Sequence, residues 1–265
     1  FISGSRPIHK LLENNLGKWL NQDSVLLFPS GYQANIAAIQ ALADKNTLII
    51  ADKLIHNSLI VGAKASGAKL IRFRHNDLKD LQSKLSKYSI YKTPILVVVE
   101  SLYSMEGTIA PLEKITQLCQ KYSCKLLVDE AHSLGILGPQ GKGLSFQFNN
   151  SINIVSGTFG KAFGSGGAFL ACNQIMGENL IQTSSPFRYT TALSPSLAAG
   201  ALKSLQIIEK NHTMGANLLK ISKLWKKEMN KLEKFEIKGD SHILSIILGN
   251  DEKTMMMQQY LEDKG

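Results

Sequence analysis

Short runs of apolar, often β-branched residues alternate along this chain with longer amphipathic stretches, and this alternation constrains the fold more than any other feature. The runs are bounded by Gly, Pro, Asn or Asp and are too short for helices, which marks them as strands. Strands are predicted over residues 25–28, 47–51, 69–73, 95–100, 125–129, 153–156 and 167–171. Helical periodicity falls between them, over 8–20, 32–43, 57–66, 78–87 and 112–122, with short joining loops. Strand and helix in turn specify βαβ units. The expected fold class is α/β, a mostly parallel seven-stranded sheet with helices on both faces.

Beyond residue 167 the pattern changes. Ser194-Pro195 opens a helix reaching about residue 210, a Lys-rich helix is expected over 216–234, a strand over 241–249 and a last helix over 251–263. These segments divide the chain into a large domain, residues 1–205, and the start of a smaller α/β domain, residues 206–265. The chain opens on Phe1 rather than Met and is read as a piece of a longer protein.

At 44% hydrophobic and 19% charged, 265 residues carry enough apolar material for a sizeable core, which excludes disorder and collagen-like repeats. The longest strongly apolar stretch, 95–99, falls far short of the roughly 20 residues of a membrane span, so no membrane partner is expected. No basic segment leads into an apolar one at the start, and Cys119, Cys124 and Cys172 are too few and too irregular for a disulfide framework. A cytoplasmic location is the expectation. Thirty Lys and Arg against 21 Asp and Glu give a net charge of +9, which suits nucleic acid, anionic lipid or a phosphate-bearing small molecule or carrier. Nucleic acid is the weakest of these, because the helix carrying Lys220, Lys223, Lys226, Lys227, Lys231 and Lys234 offers only Trp225 for stacking.

Leu126-Leu127-Val128-Asp129-Glu130-Ala131-His132 puts acidic residues at the carboxyl end of a buried strand, where open α/β sheets bind ligands. In a nucleotide-driven helicase these letters hold magnesium, but that chemistry requires an upstream phosphate loop ending in Lys-Ser or Lys-Thr. Gly138-Pro139-Gln140-Gly141-Lys142-Gly143 and Gly157-Thr158-Phe159-Gly160-Lys161-Ala162 both lie downstream, and neither has Ser or Thr after the Lys.

The second of these strings runs on to Gly167 and places one lysine in a glycine-dense loop between two strands. A partly desolvated lysine has a lowered pKa, which is what an amine needs to form a Schiff base with a carbonyl. On its own the loop reads equally well as a flexible turn with a solvated Lys. A pyridoxal phosphate site also needs a carboxylate on the pyridinium nitrogen, which Asp129 supplies, and an anion-binding turn. Pro29-Ser30-Gly31-Tyr32-Gln33-Ala34-Asn35 leads a strand into a helix whose first N–H groups suit a phosphate, with the Thr158 hydroxyl as a further ligand. His56, just past a strand end, is placed to stack on the ring.

These strings, with Ser3 to His9, Asp52 to Ser58, Phe73 to Asp77, Glu100 to Pro111 and Val128 to Gly143, resemble the α-oxoamine synthases in order and nearly end to end. That family comprises fold-type-I pyridoxal phosphate enzymes that condense an amino acid with an acyl thioester and lose carbon dioxide. The resemblance implies that Lys161 binds the cofactor covalently and later moves the substrate Cα proton, and that Asp129 pairs with the ring nitrogen. His132 and Ser104 are implied to hydrogen-bond the ring's phenolic oxygen, Gly31, Tyr32 and Thr158 to hold the phosphate, and His56 to stack on the ring and meet the substrate. Thr191, with Thr190 beside it, falls where the family sends a hydroxyl into the phosphate site of the other subunit of a homodimer.

Within the family the motifs look most like the branch that joins L-alanine to a pimeloyl thioester, carried by coenzyme A or an acyl carrier protein, in biotin biosynthesis. The alternatives are the glycine C-acetyltransferase, 5-aminolevulinate synthase and serine palmitoyltransferase types. The family's carboxylate-binding arginine is expected beyond this chain, and Ser245 stands where many relatives have proline. His9, His75, His212 and His242 are read as structural or solvated, Cys119 as core, and Glu100 as a neighbour that orients others.

Overall fold

The computed structural model describes residues 4–232 and 234–265. Ser3 of the first motif and the opening Phe1-Ile2 lie outside the described residues. Seven strands form one sheet: β1 (Ser24–Phe28), β2 (Leu48–Asp52), β3 (Lys69–Phe73), β4 (Ile95–Glu100), β5 (Lys125–Asp129), β6 (Ile154–Thr158) and β7 (Ala168–Cys172). Their order across the sheet is β1-β7-β6-β5-β4-β2-β3. Neighbours from β6 to β3 are parallel, and β7 runs antiparallel to both β6 and β1. The expected architecture is present, with one reversed strand that the apolar pattern did not reveal. β7 begins at Ala168 rather than Gly167, whose φ of +93° belongs to a turn.

Alternation along each strand assigns side chains to two apolar layers. Val97, Val99, Leu126, Val128 and Val155 face one layer, roofed by Leu12 and Leu16 of α1 (Pro7–Leu20), Leu81 and Leu85 of α4 (Leu78–Ser89), Ile115 of α5 (Leu112–Lys121) and Leu205 of α8 (Pro195–Lys210). Leu96, Val98, Leu127 and Ile154 face the other layer, under Ala34, Ala37 and Ala38 of α2 (Gly31–Leu42), Leu59 and Ala63 of α3 (Asn57–Ala65) and Leu180 of α6 (Gln174–Thr183). With both faces covered, the central strands need no polar alternation. Each fully buried Leu, Ile or Val contributes about 1.5–3 kcal/mol.

The α2–α3 pair is close because its contact residues are small. A Cβ on Gly62 would lie 3.1 Å from Cβ of Ile39, so the glycine lets α3 settle onto α2. That approach brings Asn35 and Ser58 together beneath the site.

Helix α8 runs unbroken through residues 205 and 206, the expected domain boundary, so any such division passes through a helix. After the short α7 (Ser185–Arg188) and α8 come α9 (Thr213–Asn230), a two-stranded sheet of β8 (Glu236–Lys238) and β9 (Ser245–Ile247), and α10 (Asp251–Asp263). The strand expected over 241–249 is shortened to Ser245–Ile247, because residues 239–243 dock on the turn at Gly107, with Asp240 N–H donating to Gly107 O at 2.9 Å. Among the described residues no helix is long and apolar enough to cross a membrane.

Candidate active site

Strands β2, β4, β5 and β6 end side by side, and each carries a polar residue to that edge: Asp52, Glu100, Asp129 and Thr158. Register fixes the central pair, with Glu100 opposite Asp129 and Asp129 opposite Ser156. A cavity opens above them, lined by Gly31, Tyr32, Asn35, His56, Glu100, Asp129, His132, Thr158 and Lys161 among others. Seven of the nine residues singled out in the sequence line this one cavity. Ser104 lines an adjoining cavity that shares Ala131, His132 and Lys161 with the first. Thr191 lies apart, in a third cavity beside His9, Leu27 and Phe187.

Lys161 sits in the loop from β6 to β7, which is held rather than flexible. Phe159 and Phe163, on either side of it, are buried and pack edge to face with centroids 5.5 Å apart. Phe159 N–H donates to Gly167 O at 2.9 Å and Ser165 N–H to Phe159 O at 2.9 Å, closing the loop across its base. Gly164 supplies the left-handed turn residue, at φ +55°. Between these anchors the Lys161 amine reaches into the cavity, 2.6 Å from Nε2 of His132. Although much of the side chain is exposed, burial of the amine pushes its pKa below the ordinary lysine value, against the charges of Asp129 and Glu100.

His132 follows the turn that ends β5. That turn is built on Glu130, which is fully buried and accepts from the hydroxyls of Ser101 and Ser133 and from Ser145 N–H. Burial, then the charge of Lys161, then those of His242 and His56, push the His132 imidazole down to about 4. His242, read from sequence as structural, therefore stands close enough to act on the site. It lines the adjoining cavity with Ser104 and Lys161.

Asp129 is held by two donors: Ala131 N–H reaches Oδ1 at 2.9 Å and Asn35 Nδ2 reaches Oδ2 at 2.8 Å. Beside it Glu100 is 3% exposed, and burial followed by repulsion from Asp129 pushes its carboxyl up to about 8. Glu100 Oε1 and Asn35 Oδ1 are buried and have no hydrogen-bond partner among the described residues.

The anion-binding turn is formed as the sequence suggests. Ser30 caps α2 by accepting from Gln33 N–H at 3.3 Å, which leaves Gly31 and Tyr32 at the open first turn. Gly31 faces Thr158, whose Oγ1 would lie 3.9 Å from a Cβ on the glycine. Thr158 Oγ1 donates to Gly167 O at 3.0 Å and accepts from Gly160 N–H at 3.2 Å. An amine of lowered pKa, a braced carboxylate and a helix N-terminus with an adjacent hydroxyl therefore surround one cavity, and two of its lining residues, Asn35 and Glu100, each carry a buried oxygen without a partner among the described residues. These residues fit a pyridoxal phosphate.

The whole chain, residues 1–265, matches the family described as aminotransferase class I and II. An 8-amino-7-oxononanoate synthase of Hydrogenovibrio crunogenus is 38% identical over 267 residues, covering 100% of this chain and 67% of that protein. The solved structure of Sphingomonas wittichii serine palmitoyltransferase is 31% identical with a TM-score of 0.94, covering 100% of this chain and 67% of that one. A serine palmitoyltransferase of S. paucimobilis, solved with a bound pyridoxal phosphate adduct of myriocin, is also 31% identical, with a TM-score of 0.91 and coverage of 100% and 69%.

Proposed function

Because the chain belongs to the aminotransferase class I and II family, and within it to the α-oxoamine synthases, we propose that the cavity around Lys161 carries out that family's reaction. The cofactor is pyridoxal phosphate, and the reaction class is decarboxylative condensation of an amino acid with an acyl thioester. When bound, the cofactor supplies an electron sink that stabilises negative charge at the substrate Cα. The observation that carries the reading is the placement of Lys161 and Asp129 in one cavity at the carboxyl edge of the sheet.

In this reading the residues divide the work. Gly31 and Tyr32, at the N-terminus of α2, and the hydroxyl of Thr158 hold the phosphate. Asp129, oriented by Asn35 and Ala131, pairs with the ring nitrogen. His132, with Ser104 from the adjoining cavity, faces the ring oxygen, and His56 covers the ring. Lys161 first binds the cofactor and then, with its amine released, takes the proton from the amino acid Cα. Its lowered pKa suits that task, since an amine must be free of its proton to act as a base. Thr191 is assigned to a second subunit's phosphate site, which makes the proposed enzyme a homodimer. The positive charge of the chain suits an acyl donor that bears phosphates.

Two substrate pairs follow from two different likenesses. The likeness to the two serine palmitoyltransferase structures supports L-serine with a palmitoyl thioester. The 38% identical relative favours L-alanine with a pimeloyl thioester leading to 8-amino-7-oxononanoate. Thiol release with alanine, glycine and serine, each against acetyl, succinyl, pimeloyl and palmitoyl thioesters, decides between them. Turnover confined to serine with palmitoyl, or to alanine with pimeloyl, selects the pair. No turnover with any pair, by a full-length protein that binds pyridoxal phosphate at Lys161, would reject the condensation itself.

A further inference from the structure

Asn35 and Ser58 connect Asp129 to His56 through buried hydrogen bonds. Asn35 is 3% exposed and Ser58 is fully buried. The Asn35 Nδ2 group donates to Asp129 Oδ2 at 2.8 Å and to Ser58 Oγ at 2.9 Å, using both of its hydrogens. The carboxylate fixes which way the amide points, because a flipped Asn35 would set its carbonyl oxygen against a carboxylate oxygen. Asn35 Oδ1, left without a partner, is consistent with an orientation dictated from the Asp129 side.

The direction of donation then passes outward. Ser58 Oγ accepts from Asn35, so its own hydrogen is available to His56 Nδ1, 2.7 Å away. The backbone N–H of Ser58 points at the same nitrogen from 3.2 Å, with His56 acting as the N-cap of α3. The amide contact is the longer and weaker of the two, so the Ser58 hydroxyl, at 2.7 Å, is the donor that holds the lone pair on Nδ1. His56 must therefore carry its hydrogen on Nε2.

We propose that Asn35 and Ser58 are positioning residues that lock His56 in its Nε2–H tautomer, so that the orientation of Asp129 sets the donor His56 presents to the cavity. The inference rests on the assignment of this cavity as the active site, but the hydrogen-bond ladder is a property of the protein without cofactor. Neither residue touches the reacting atoms. Their effect passes through Asp129 at one end and His56 at the other. A close α2–α3 contact, permitted by Gly62, is what makes the ladder possible.

The test is two-bond 1H–15N correlation spectroscopy of the cofactor-free protein labelled with 15N-histidine, with His56 assigned by loss of its signals in His56→Gln. The wild type is expected to show a single tautomer, with Nδ1 unprotonated and Nε2 protonated. Ser58→Ala and Asn35→Ala are each expected to move both nitrogen shifts toward the values of two exchanging tautomers, the second variant acting through an intervening residue. A wild-type His56 protonated on Nδ1 overturns the proposal, and this spectrum decides even where a variant does not fold. An unchanged tautomer in folded Asn35→Ala overturns the link to Asp129. Separately, a visible absorbance formed with pyridoxal phosphate and absent in Lys161→Ala reports on the active-site reading, so failure of either idea is seen apart from the other.

Discussion

Lys161 Nζ lies 2.6 Å from His132 Nε2, so an amine and an imidazole share one place for a proton. Burial and the nearby amine act in the same direction on the ring, pushing it down to about 4. An NMR titration of the cofactor-free protein is expected to place the His132 midpoint there. Lys161→Met removes the second of these causes and leaves the first, so the midpoint should rise and remain below the ordinary histidine value of about 6.5. An unmoved midpoint would show that the amine does not act on the ring.

The same amine makes a visible chromophore testable. Adding pyridoxal phosphate to the protein is expected to produce a Schiff-base absorbance that Lys161→Ala abolishes. Lys161→Arg should abolish it too, because a guanidinium stays protonated and cannot attack the carbonyl. Absorbance that survives both substitutions would place the reactive amine elsewhere.

Glu100 predicts a pH dependence of stability in the cofactor-free protein. Its carboxyl rises from the ordinary 4.5 in the unfolded chain to about 8 in the fold. Between those values the folded state holds a proton that the unfolded state has released, so stability falls as pH rises through that window. Below it both states are protonated and the term vanishes. Glu100→Gln removes the titration, so urea unfolding should show the variant gaining on the wild type between pH 5 and pH 8. The relative gain is on the order of a few kcal/mol. A constant difference across the range would mean that Glu100 titrates normally.

Two glycines at the site should respond oppositely to a methyl group. A Cβ on Gly157 would lie 2.4 Å from Phe169 Cζ and 2.5 Å from Leu134 Cδ1, and both partners are buried. Gly157→Ala is expected to cost about 1–3 kcal/mol of stability through overpacking. A Cβ on Gly31 would meet only Thr158, at 3.8 Å, so Gly31→Ala should leave thermal unfolding nearly unchanged. Equal losses in the two variants would contradict this packing.

How much of this was legible in the sequence depended on how local each signal was. Asp129, Thr158 and Lys161 sit on or beside strand ends, and a short apolar run followed by a polar residue marks a strand end directly. Gly31 and Tyr32 were readable because Ser30 is a capping residue next to a strand. The direction of β7 was not readable, since period-two alternation is the same for a strand run either way. Phe159 and Phe163 carry the signal that the lysine loop is anchored, but the density of glycine around them reads as flexibility. The Asn35–Ser58 contact depends on how α2 packs on α3, and His242 approaches His132 only through docking at Gly107. Neither is a spacing that the chain spells out.

The reversed strand β7 also bears on how the protein is made. Ser24 at the start of β1 pairs with Cys172 at the end of β7, so the earliest strand of this sheet waits for its last strand before it has a neighbour. Pairing of such high contact order is slow, and an unpaired apolar strand exposes the nascent chain to aggregation in the interval. The hairpin carrying Lys161 completes that pairing. Lys161 is thus set in place by the same step that closes the sheet.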